Sequence, residues 1–327
     1  MIKLYPTRFF IVLTIICLVV VAASLSIGSS GSAIDLIPNL LTGELDKTQH
    51  QIIMELRLPR TLSAFLAGGL LGLSGVLMQV LLRNPLADPY ILGISGGAAT
   101  GALIAIAVHA ESYLIDISAF SGALLSMLLV YLLSSRDGLQ RGKQLLLTGV
   151  ILAAGWGALI NLLLILSDSQ DIHSMLFWLM GDLSTAEQPS IATGLVLVTA
   201  LIISWSFARD LNLLTFGDLK AQSLGCNVKA VKRIALLIST LATATAVSIA
   251  GTVGFVGLII PHAVRLMIGN NHRLVLPAAV LAGGTLLVLA DLGARMLLTP
   301  QQLPVGIITA LIGVPIFIYL LRQSAHD

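Results

Sequence analysis

Apolar residues fall in long runs along this chain, and short polar stretches separate the runs. A helix that crosses a membrane needs about 20 consecutive, mostly apolar residues, and the sequence divides into ten such segments. The first runs from Phe9 to Ile27 and the last from Val305 to Leu321. The pattern predicts an all-α polytopic membrane protein with ten transmembrane helices, forming one domain over residues 1–327.

The eight segments between these are about Thr61–Leu82, Tyr90–His109, Ile115–Ser134, Gln144–Leu166, Ile191–Phe207, Ile234–Ile249, Phe255–Ile268 and Leu274–Met296. The first segment could instead be a signal peptide, but it exceeds the 7–15 apolar residues of a typical signal core, which favours an uncleaved helix. The motif RNPLADP after the second segment predicts a turn, because its prolines cannot continue a helix. The apolar stretch MLFWLMGDL, within a polar connection, suggests a segment that returns toward the bundle.

Composition agrees with a membrane protein. Hydrophobic residues make up 57% of the chain and charged residues 10%, whereas soluble domains carry about 25% charged residues. The net charge of +2 and the lack of a basic patch interleaved with aromatic residues argue against binding to nucleic acid. Two cysteines cannot form a disulfide framework, so they say little about the compartment.

The distribution of lysine and arginine predicts the orientation. If the N-terminus is cytoplasmic, fourteen of the eighteen fall in inner loops, and four (Lys47, Arg57, Arg60 and Arg295) fall outside. Because inner loops of membrane proteins are enriched in these residues, both termini are predicted to be cytoplasmic. So is the polar segment 209–233.

Small residues are concentrated in the second and third segments and before the eighth, which predicts closely packed helices. Pro261 and Pro315 are expected to kink the eighth and tenth segments. The motifs GLSGVLMQVLLRNP and GFVGLIIPHAVRL are weakly alike. An odd number of helices between them would make segments 2–5 and 7–10 an inverted repeat, a common transporter design.

The segment 209–233 contains a short helix signal. Asp218 is placed to cap the helix N-terminus and Gly225 to end it in a left-handed conformation. Leu213, Leu214 and Phe216, with the nearby Leu219 and Leu224, are too apolar for a solvated loop, which suggests a protein partner outside the membrane. The alternative is that this segment only connects two membrane helices.

Signals for catalysis are weak. GLQRGKQ is one residue short of a phosphate-binding loop and lacks its hydroxyl residue. The sequence GISGG matches the serine hydrolase pattern G-x-S-x-G at Ser95, with His109 or His262 as the possible base. Tight helix packing explains these glycines better. The six histidines show no metal spacing and HExxH is absent, so no metal site is predicted.

Charged residues at the predicted outer face allow two interpretations. Asp291 and Arg295 have i, i+4 spacing and can form an ion pair of structural or functional importance. Arg57 and Arg60 either extend their side chains to the membrane interface or bind acidic residues of an external partner.

Several blocks of the chain resemble one family, and they occur in that family's order over almost the whole length. They are ELRLPRTLSAFLAGGLLGLSGVLMQVLLRNPLADPYILGISGGA, FGDLKAQSLG, GFVGLIIPHAVRL, LADLGARM and LPVGIITALIGVPIFIYLL. They resemble the membrane-spanning subunit of bacterial ABC importers for iron–siderophore complexes, haem and vitamin B12, the FecCD-type permeases. The resemblance implies a fold like that of the vitamin B12 permease, with ten helices per subunit.

The resemblance also implies the partners. They are a second permease subunit (an identical copy or a paralogue), two cytoplasmic ATP-binding subunits and a periplasmic substrate-binding protein, assembled in the lipid of the bacterial inner membrane. ATP and Mg²⁺ would then be bound by the partner subunits, and this chain would bind no cofactor and catalyse no reaction.

By the same resemblance, site residues carry over to this sequence. The family's coupling helices match Leu213–Gly225; its binding-protein docking arginines match Arg57 and Arg295, with Arg60 nearby; its cytoplasmic gate matches Gly142 and Lys143. Lys143 departs from the small hydroxyl residues of the vitamin B12 permease, which weakens that substrate. The segment matching MLFWLMGDL lines the family's pathway together with the fifth and tenth segments.

Two sets of site residues are expected. The residues expected to contribute to coupling are Leu213, Leu214, Phe216, Gly217, Asp218, Ala221, Leu224 and Gly225. The residues expected to contribute to the pathway or its packing are Asn84, Pro85, Gly93, Ser95, Gly96, Pro261 and His262.

The sequence therefore predicts the permease of an ATP-driven importer that carries a metal chelate, with an iron(III)–siderophore complex expected first and vitamin B12 or haem as alternatives. Two other classes remain open. One is a secondary transporter that is independent of ATP and would need acidic residues within the membrane. The other is an intramembrane serine protease built on Ser95.

Overall fold

The computed structural model describes residues 5–28, 31–32, 47–134, 141–184 and 190–324, and these are helical apart from one short strand pair and the connections. Strands β1 (Ile27–Gly28) and β2 (Gly31–Ser32) pair antiparallel directly after the first helix. The helices are α1 (Pro6–Ser26), α2 (Lys47–Gln51), α3 (Leu58–Leu81), α4 (Ile94–Ala107), α5 (Ser112–Leu133), α6 (Arg141–Leu166), α7 (Ser169–Met180), α8 (Ile191–Ser206), α9 (Ala208–Leu214), α10 (Asp218–Ser223), α11 (Val228–Ala250), α12 (Val256–Ile268), α13 (His272–Met296) and α14 (Val305–Ser324). A π-helix (Ile52–Arg57) joins α2 to α3, and a 3₁₀ turn (Pro89–Leu92) precedes α4.

Long apolar helices make this an all-α polytopic membrane protein. Within the described residues, six helices are long and apolar enough to cross a membrane: Pro6–Ser26, Ile52–Leu81, Ser112–Leu133, Gln144–Leu166, Val228–Ala250 and His272–Met296. Helices α8 and α9, bent by 62° at their junction, make a seventh if they form one span. Three shorter apolar helices are Ile94–Ala107, Val256–Ile268 and Val305–Tyr319. Each of the ten predicted segments coincides with one of these helices, while the number that crosses the bilayer stays a prediction.

Helix α3 lies at the centre of the bundle and packs against α11, α12 and α13. Its apolar stretch is 89% buried, compared with 6% for that of α6. Glycines allow this central position: a methyl group on Gly75 would overlap the backbone of Gly257 in α12, and one on Gly68 would overlap Gly283 in α13. Burial of apolar area gives little net drive in lipid, so close backbone contact is what holds such helices together.

The close glycine contacts of α3 form one glycine seam, and a second such seam joins α4 to α5. Gly97 faces Gly122, and Gly101 faces the backbone of Ser118, with no room for a side chain at either glycine. The sequence prediction that glycine-rich segments pack closely is therefore confirmed at both seams.

Two helix boundaries differ from the sequence prediction, and the predicted return of the MLFWLMGDL stretch is confirmed. The second segment begins earlier than predicted, because the helical chain continues outward through Ile52–Arg57. The seventh also begins earlier, at Val228, so that Lys229, Lys232 and Arg233 lie in the first turns of α11 and not in a connecting loop. The MLFWLMGDL stretch does return to the bundle: it ends α7, where Met175 is fully buried and the Leu179 carbonyl accepts a hydrogen bond from Thr252.

Candidate functional site

The predicted coupling segment folds as two short helices at the end of the bundle predicted to be cytoplasmic. Leu211 and Leu214 of α9 and Ala221 of α10 are almost completely buried, at 0%, 1% and 0% exposure. These side chains anchor the helices on the bundle. Leu214 and Ala221 were both predicted coupling residues, and the structure places them where they position the segment.

Three large apolar side chains of the same segment point outward. Phe216, Leu219 and Leu224 are 66%, 69% and 59% exposed, and they lie outside the described apolar spans. We call these three residues the outward patch. Clustered exposed apolar residues that lipid does not cover are typical of a protein-binding surface.

Asp218 does not cap α10, contrary to the sequence prediction. The N-cap residue is Gly217, with φ of 106°, and Asp218 lies in the first turn without a capping hydrogen bond. Its carboxylate instead forms ion pairs with Arg83, in the turn after α3, and with Nζ of Lys232 in α11, the latter at 2.7 Å. Two cations compete better for this carboxylate than a backbone N–H, so Asp218 ties the coupling segment to both neighbouring elements. The left-handed Gly225 predicted after the helix is confirmed, with φ of 85°.

Asn212 forms a second attachment that sequence reasoning missed. Its Oδ1 accepts a hydrogen bond from the backbone N–H of His272 at 2.9 Å and lies 2.6 Å from Nδ1 of the same residue. Its Nδ2 donates to Asn271 Oδ1 at 3.3 Å. Helix α9 is thereby fixed to the start of α13, and no motif in the sequence marks this asparagine.

The arginines of the predicted outer face come together around one carboxylate. Arg60 Nε donates to Asp291 Oδ1 at 2.8 Å, and Arg60 Nη1 donates to Gln302 Oε1 at 2.6 Å. Arg295 Nε lies 3.1 Å from Asp291 Oδ2, which confirms the predicted i, i+4 ion pair. Arg295 Nη2 also donates to Ser24 Oγ of α1 at 2.6 Å.

Arg57 completes this outer arginine cluster. Its Nη1 donates to the carbonyl oxygens of Leu25 and Ser26 at 2.8 and 2.9 Å, at the end of α1. Arg57, Arg60 and Arg295 are only 7%, 8% and 4% exposed. In this conformation the predicted docking residues hold α1, α3 and α13 together, and docking by a partner stays a prediction.

The predicted gate and turn residues are described in part. Gly142 and Lys143 lie in the first turn of α6, and their side chains fall outside the described part of the chain. The predicted RNPLADP turn is confirmed: the Asn84 side chain accepts a hydrogen bond from the Leu86 N–H at 2.9 Å, and Pro85 is exposed. Asp88 caps the following turn by accepting from the Tyr90 N–H at 2.8 Å.

The glycines around Ser95 serve packing. Gly93 adopts a left-handed conformation with φ of 73° at the start of α4, and its carbonyl accepts from Ser126 Oγ at 2.8 Å. Trp156 of α6 donates to the same hydroxyl at 2.9 Å and covers Gly96. These contacts explain the G-x-S-x-G match by helix packing, so the match does not require Ser95 to be a nucleophile.

Neither candidate base serves Ser95. His109 pairs with Asp171 at 3.6 Å, at the opposite end of the same helix. His262 lies half-buried in α12, beside Pro261. Among the described residues, Ser95 has no hydrogen bond to a histidine.

We therefore expect Ser95→Ala to leave transport almost unchanged, since the substitution removes only a half-buried hydroxyl. Uptake of radiolabelled cargo into cells that carry the wild-type or variant chain measures this. A complete loss of uptake with normal protein levels would contradict the packing interpretation.

The described part of the chain holds no group of three or more His, Cys, Asp or Glu side chains that could bind a metal ion. Cys17 and Cys226 are both free and buried.

Known proteins share both the sequence and the fold. The profile of the FecCD transport family matches residues 15–323. The cobalamin import system permease protein BtuC of Halobacterium salinarum is 41% identical over 279 residues, which cover 85% of this chain and 75% of that protein. The hemin transport system permease protein HmuU of Yersinia pestis is 40% identical over 284 residues, 84% of each chain. A solved structure, an inward-facing conformation of an ABC transporter assigned to the metal-chelate type, superposes with a TM-score of 0.86 at 33% identity, covering 98% of this chain and 100% of that one.

Proposed function

Because this chain belongs to the FecCD transport family and is a permease subunit of an ABC importer, we propose that it moves a metal chelate from the periplasm to the cytoplasm. ATP hydrolysis by separate subunits would drive the movement, and this chain would bind no cofactor itself. The observation that carries the proposal is the outward patch of Phe216, Leu219 and Leu224, an apolar surface outside the spans and on a segment anchored to the bundle.

The cargo we propose is an iron(III)–siderophore complex, with vitamin B12 and haem as alternatives. Relatives that import cobalamin and hemin are 41% and 40% identical, so identity does not choose between these cargoes. Lys143, at the position matching the gate, slightly weakens the assignment to vitamin B12. The similarity to a transporter of the metal-chelate type supports the broader cargo class.

The proposed assembly contains two permease subunits, two ATP-binding subunits and a periplasmic binding protein, in the bacterial inner membrane. Helix α6 supports the permease pairing, because only 6% of its apolar stretch is buried within this chain. A second copy or a paralogue would cover it and enclose a pathway between the subunits. Both termini would be cytoplasmic, as the distribution of lysine and arginine predicts.

An inverted repeat of helices 2–5 and 7–10 would suit alternating access. Two pairs of contacts support it. Helix α4 begins at the left-handed Gly93 (φ 73°), which lies against Gly149 of α6, and α12 begins at the left-handed Phe255 (φ 70°), which lies against Gly313 of α14. The same local geometry therefore recurs in both halves of the chain.

In the mechanism we propose, ATP closes the two ATP-binding subunits and so moves the outward patch. Asp218 would pass this movement to Arg83 and Lys232, and Asn212 would pass it to the start of α13. Because these attachments reach the ends of α3, α11 and α13, a small displacement of the coupling segment would re-tilt the central helices. The pathway would then open alternately to the two sides.

The test of this proposal is Leu219→Glu. Leu219 is 69% exposed, so the substitution should leave folding intact and place a charge in the contact with the ATP-binding subunit. We expect loss of co-purification with the ATPase encoded beside this gene, and loss of hydrolysis stimulated by binding protein in proteoliposomes. The matched control is Gln222→Glu, an exposed polar position on the same helix that should retain both.

Equal ATPase binding and equal hydrolysis in the two variants would show that the outward patch is not the coupling surface. If no ATPase associates even with the wild-type chain and uptake follows an ion gradient, the proposed function fails. At Asp291, an acidic residue in the ninth segment, the structure gives no support to a secondary transporter, because Arg60 and Arg295 neutralise its charge.

A further inference from the structure

A chain of polar contacts leads from the coupling segment into the bundle. It begins at Asn212 of α9, whose Oδ1 accepts from the backbone N–H of His272 at 2.9 Å and lies 2.6 Å from Nδ1 of the same residue. A carbonyl oxygen has no proton to donate, so Nδ1 carries the proton and donates to Asn212. In a neutral imidazole whose Nδ1 is the donor, Nε2 is an acceptor. The contact with Asn212 therefore leaves His272 with one acceptor nitrogen, Nε2.

This acceptor is unused. His272 Nε2 is completely buried, and it has no hydrogen-bond partner in the described structure. The residue as a whole is only 1% exposed, so bulk water does not reach the nitrogen. Buried polar atoms nearly always have a partner. A donor that serves Nε2 in another conformation must therefore come from an element packed against the start of α13.

Arg265 of α12 is such a donor. Helix α12 ends only a short turn before His272, and it packs against α13. The charge of Arg265 interacts with the His272 ring. Arg265 Nη1 donates to Gln79 Oε1, while no carboxylate of the described residues forms an ion pair with this arginine. A guanidinium has five N–H donors, so Arg265 has donors left for a second acceptor.

Gln79 of α3 connects Arg265 to the turn of α12 that contains Pro261. Because proline has no N–H, the carbonyl of Gly257, four residues earlier, has no donor within its own helix. Gln79 Nε2 donates to the carbonyl oxygens of Leu258 and Gly257 at 3.0 and 3.5 Å. Its Oε1 accepts from Arg265, and its side chain is buried. The amide of Gln79 thus contacts both the proline turn and the guanidinium.

From this arrangement we propose that Arg265 is a positioning residue of the transport cycle, which donates to His272 Nε2 when the coupling segment moves. Its contact with Gln79 is kept, because the two acceptors use different N–H groups. The new contact extends the chain from Asn212 and His272 to the proline turn of α12. Movement of the coupling segment then reaches α12 as well as α13. This inference rests on the proposed function, since it assigns a step in coupling to ATP hydrolysis.

Two variants remove the proposed contact from either side. In His272→Asn the amide nitrogen can replace Nδ1 and donate to Asn212, but no atom replaces Nε2, which has no partner in this conformation. In Arg265→Lys the charge and a donor to Gln79 are kept, whereas the compact ammonium group lacks the width of the guanidinium fork. The matched control is Arg273→Lys, at an exposed arginine beside His272.

Each chain is reconstituted in proteoliposomes with its ATP-binding subunits and binding protein. Uptake of ferric siderophore, haem and cobalamin is assayed in turn and divided by the ATP hydrolysed, and thermal unfolding is followed in parallel. We expect His272→Asn and Arg265→Lys to bind the ATPase and unfold like the wild type. Their uptake per ATP should fall about tenfold, as for one lost hydrogen bond to a charged group. Arg273→Lys should match the wild type throughout.

A structural role gives a different result. If the unfolding temperature falls together with uptake, the two residues serve the stability of the fold and the proposal is overturned. Wild-type uptake per ATP in both variants would overturn it as well, while leaving the proposed function intact. Failure of the wild-type chain to bind an ATPase or to import any of the three cargoes would instead remove the proposed function, and this inference with it.

The double variant tests whether the two residues act through one contact. Residues that share an interaction have non-additive effects. We therefore expect His272→Asn combined with Arg265→Lys to lower uptake per ATP no further than either change alone. Losses that multiply would show that the two side chains act separately, and the proposed contact would then be excluded.

Discussion

Replacing Gly75 by valine is expected to prevent the chain from folding into a stable bundle. A β-carbon at this position would overlap the carbonyl oxygen of Gly257 and would lie 2.6 and 2.8 Å from its carbonyl carbon and Cα. All three atoms are backbone, so no side-chain rotation relieves the overlap, and α3 and α12 must separate. Overpacking usually costs about 1–3 kcal/mol, and the rigid contact here places the loss of stability above that range.

The chain carries its own reporters for this measurement. Cys17 and Cys226 are both buried, and burial, with the nearby Asp210, raises the pKa of the Cys226 thiol. Because the thiolate is the reactive form, a thiol-reactive dye should label the purified chain only as it unfolds. We expect Gly75→Val to give little protein in the membrane fraction, with labelling of the remainder at a much lower temperature than for the wild type.

Gly194→Val is the matched control for the same change of residue. Gly194 lies in the apolar helix α8, and a β-carbon there meets no atom within 4 Å. It should express and unfold like the wild type. If both variants behave alike, the contact between Gly75 and Gly257 does not determine the stability of the bundle.

The glycines show how far the sequence predicted the fold. Runs of small residues in an apolar chain predicted close packing, since lipid offers few other ways to hold helices together. The partners of Gly68 and Gly75 lie more than 180 residues away, in α13 and α12. No local pattern identifies such a pair. The sequence therefore predicted close packing at these glycines but not which helices they contact.

The coupling segment shows a local rule that tertiary structure overrides. Asp218 has the right residue type and position for a helix cap, and Gly225 ends the helix as predicted. The cap failed because Arg83 and Lys232, which are distant in sequence, both reach the carboxylate. One hydrogen bond from a neutral backbone N–H is weaker than contacts with two cations, and the sequence does not show where those cations lie.

The sequence predicted which residues form the outer arginine cluster but not how they are arranged. The i, i+4 spacing of Asp291 and Arg295 was enough to predict their ion pair. The contact between Arg60 and Asp291 joins residues 231 positions apart, and the contacts with Ser24 and Gln302 have no sequence signal. The burial of all three arginines could be seen only once α1 was placed across α13.

Asp291→Asn is expected to destabilise the chain strongly. Asp291 is fully buried and is the carboxylate that both Arg60 and Arg295 contact in the described structure. Asparagine keeps the shape and removes the charge, so two largely buried guanidinium groups lose their counter-ion. Removing one partner of a buried ion pair costs about 3–5 kcal/mol. The labelling temperature of Cys17 and Cys226 should fall accordingly, with reduced protein in the membrane.

This expectation changes how the docking hypothesis must be tested. A charge reversal at Arg295 would place two carboxylates at i, i+4 in a buried site, so weaker binding of the periplasmic protein could reflect misfolding alone. Arg57→Gln is a milder change, because glutamine can still donate to the carbonyl oxygens of Leu25 and Ser26 that Arg57 contacts. Asp168→Asn, at an exposed carboxylate, is the stability control for Asp291→Asn. Equal stability of these two aspartate variants would show that the outer arginines do not need their buried counter-ion.

The docking test has two outcomes. If Arg57→Gln weakens binding of the periplasmic protein while the labelling temperature is unchanged, Arg57 serves docking as well as structure. Unchanged binding would confine Arg57 to holding α1 on the bundle.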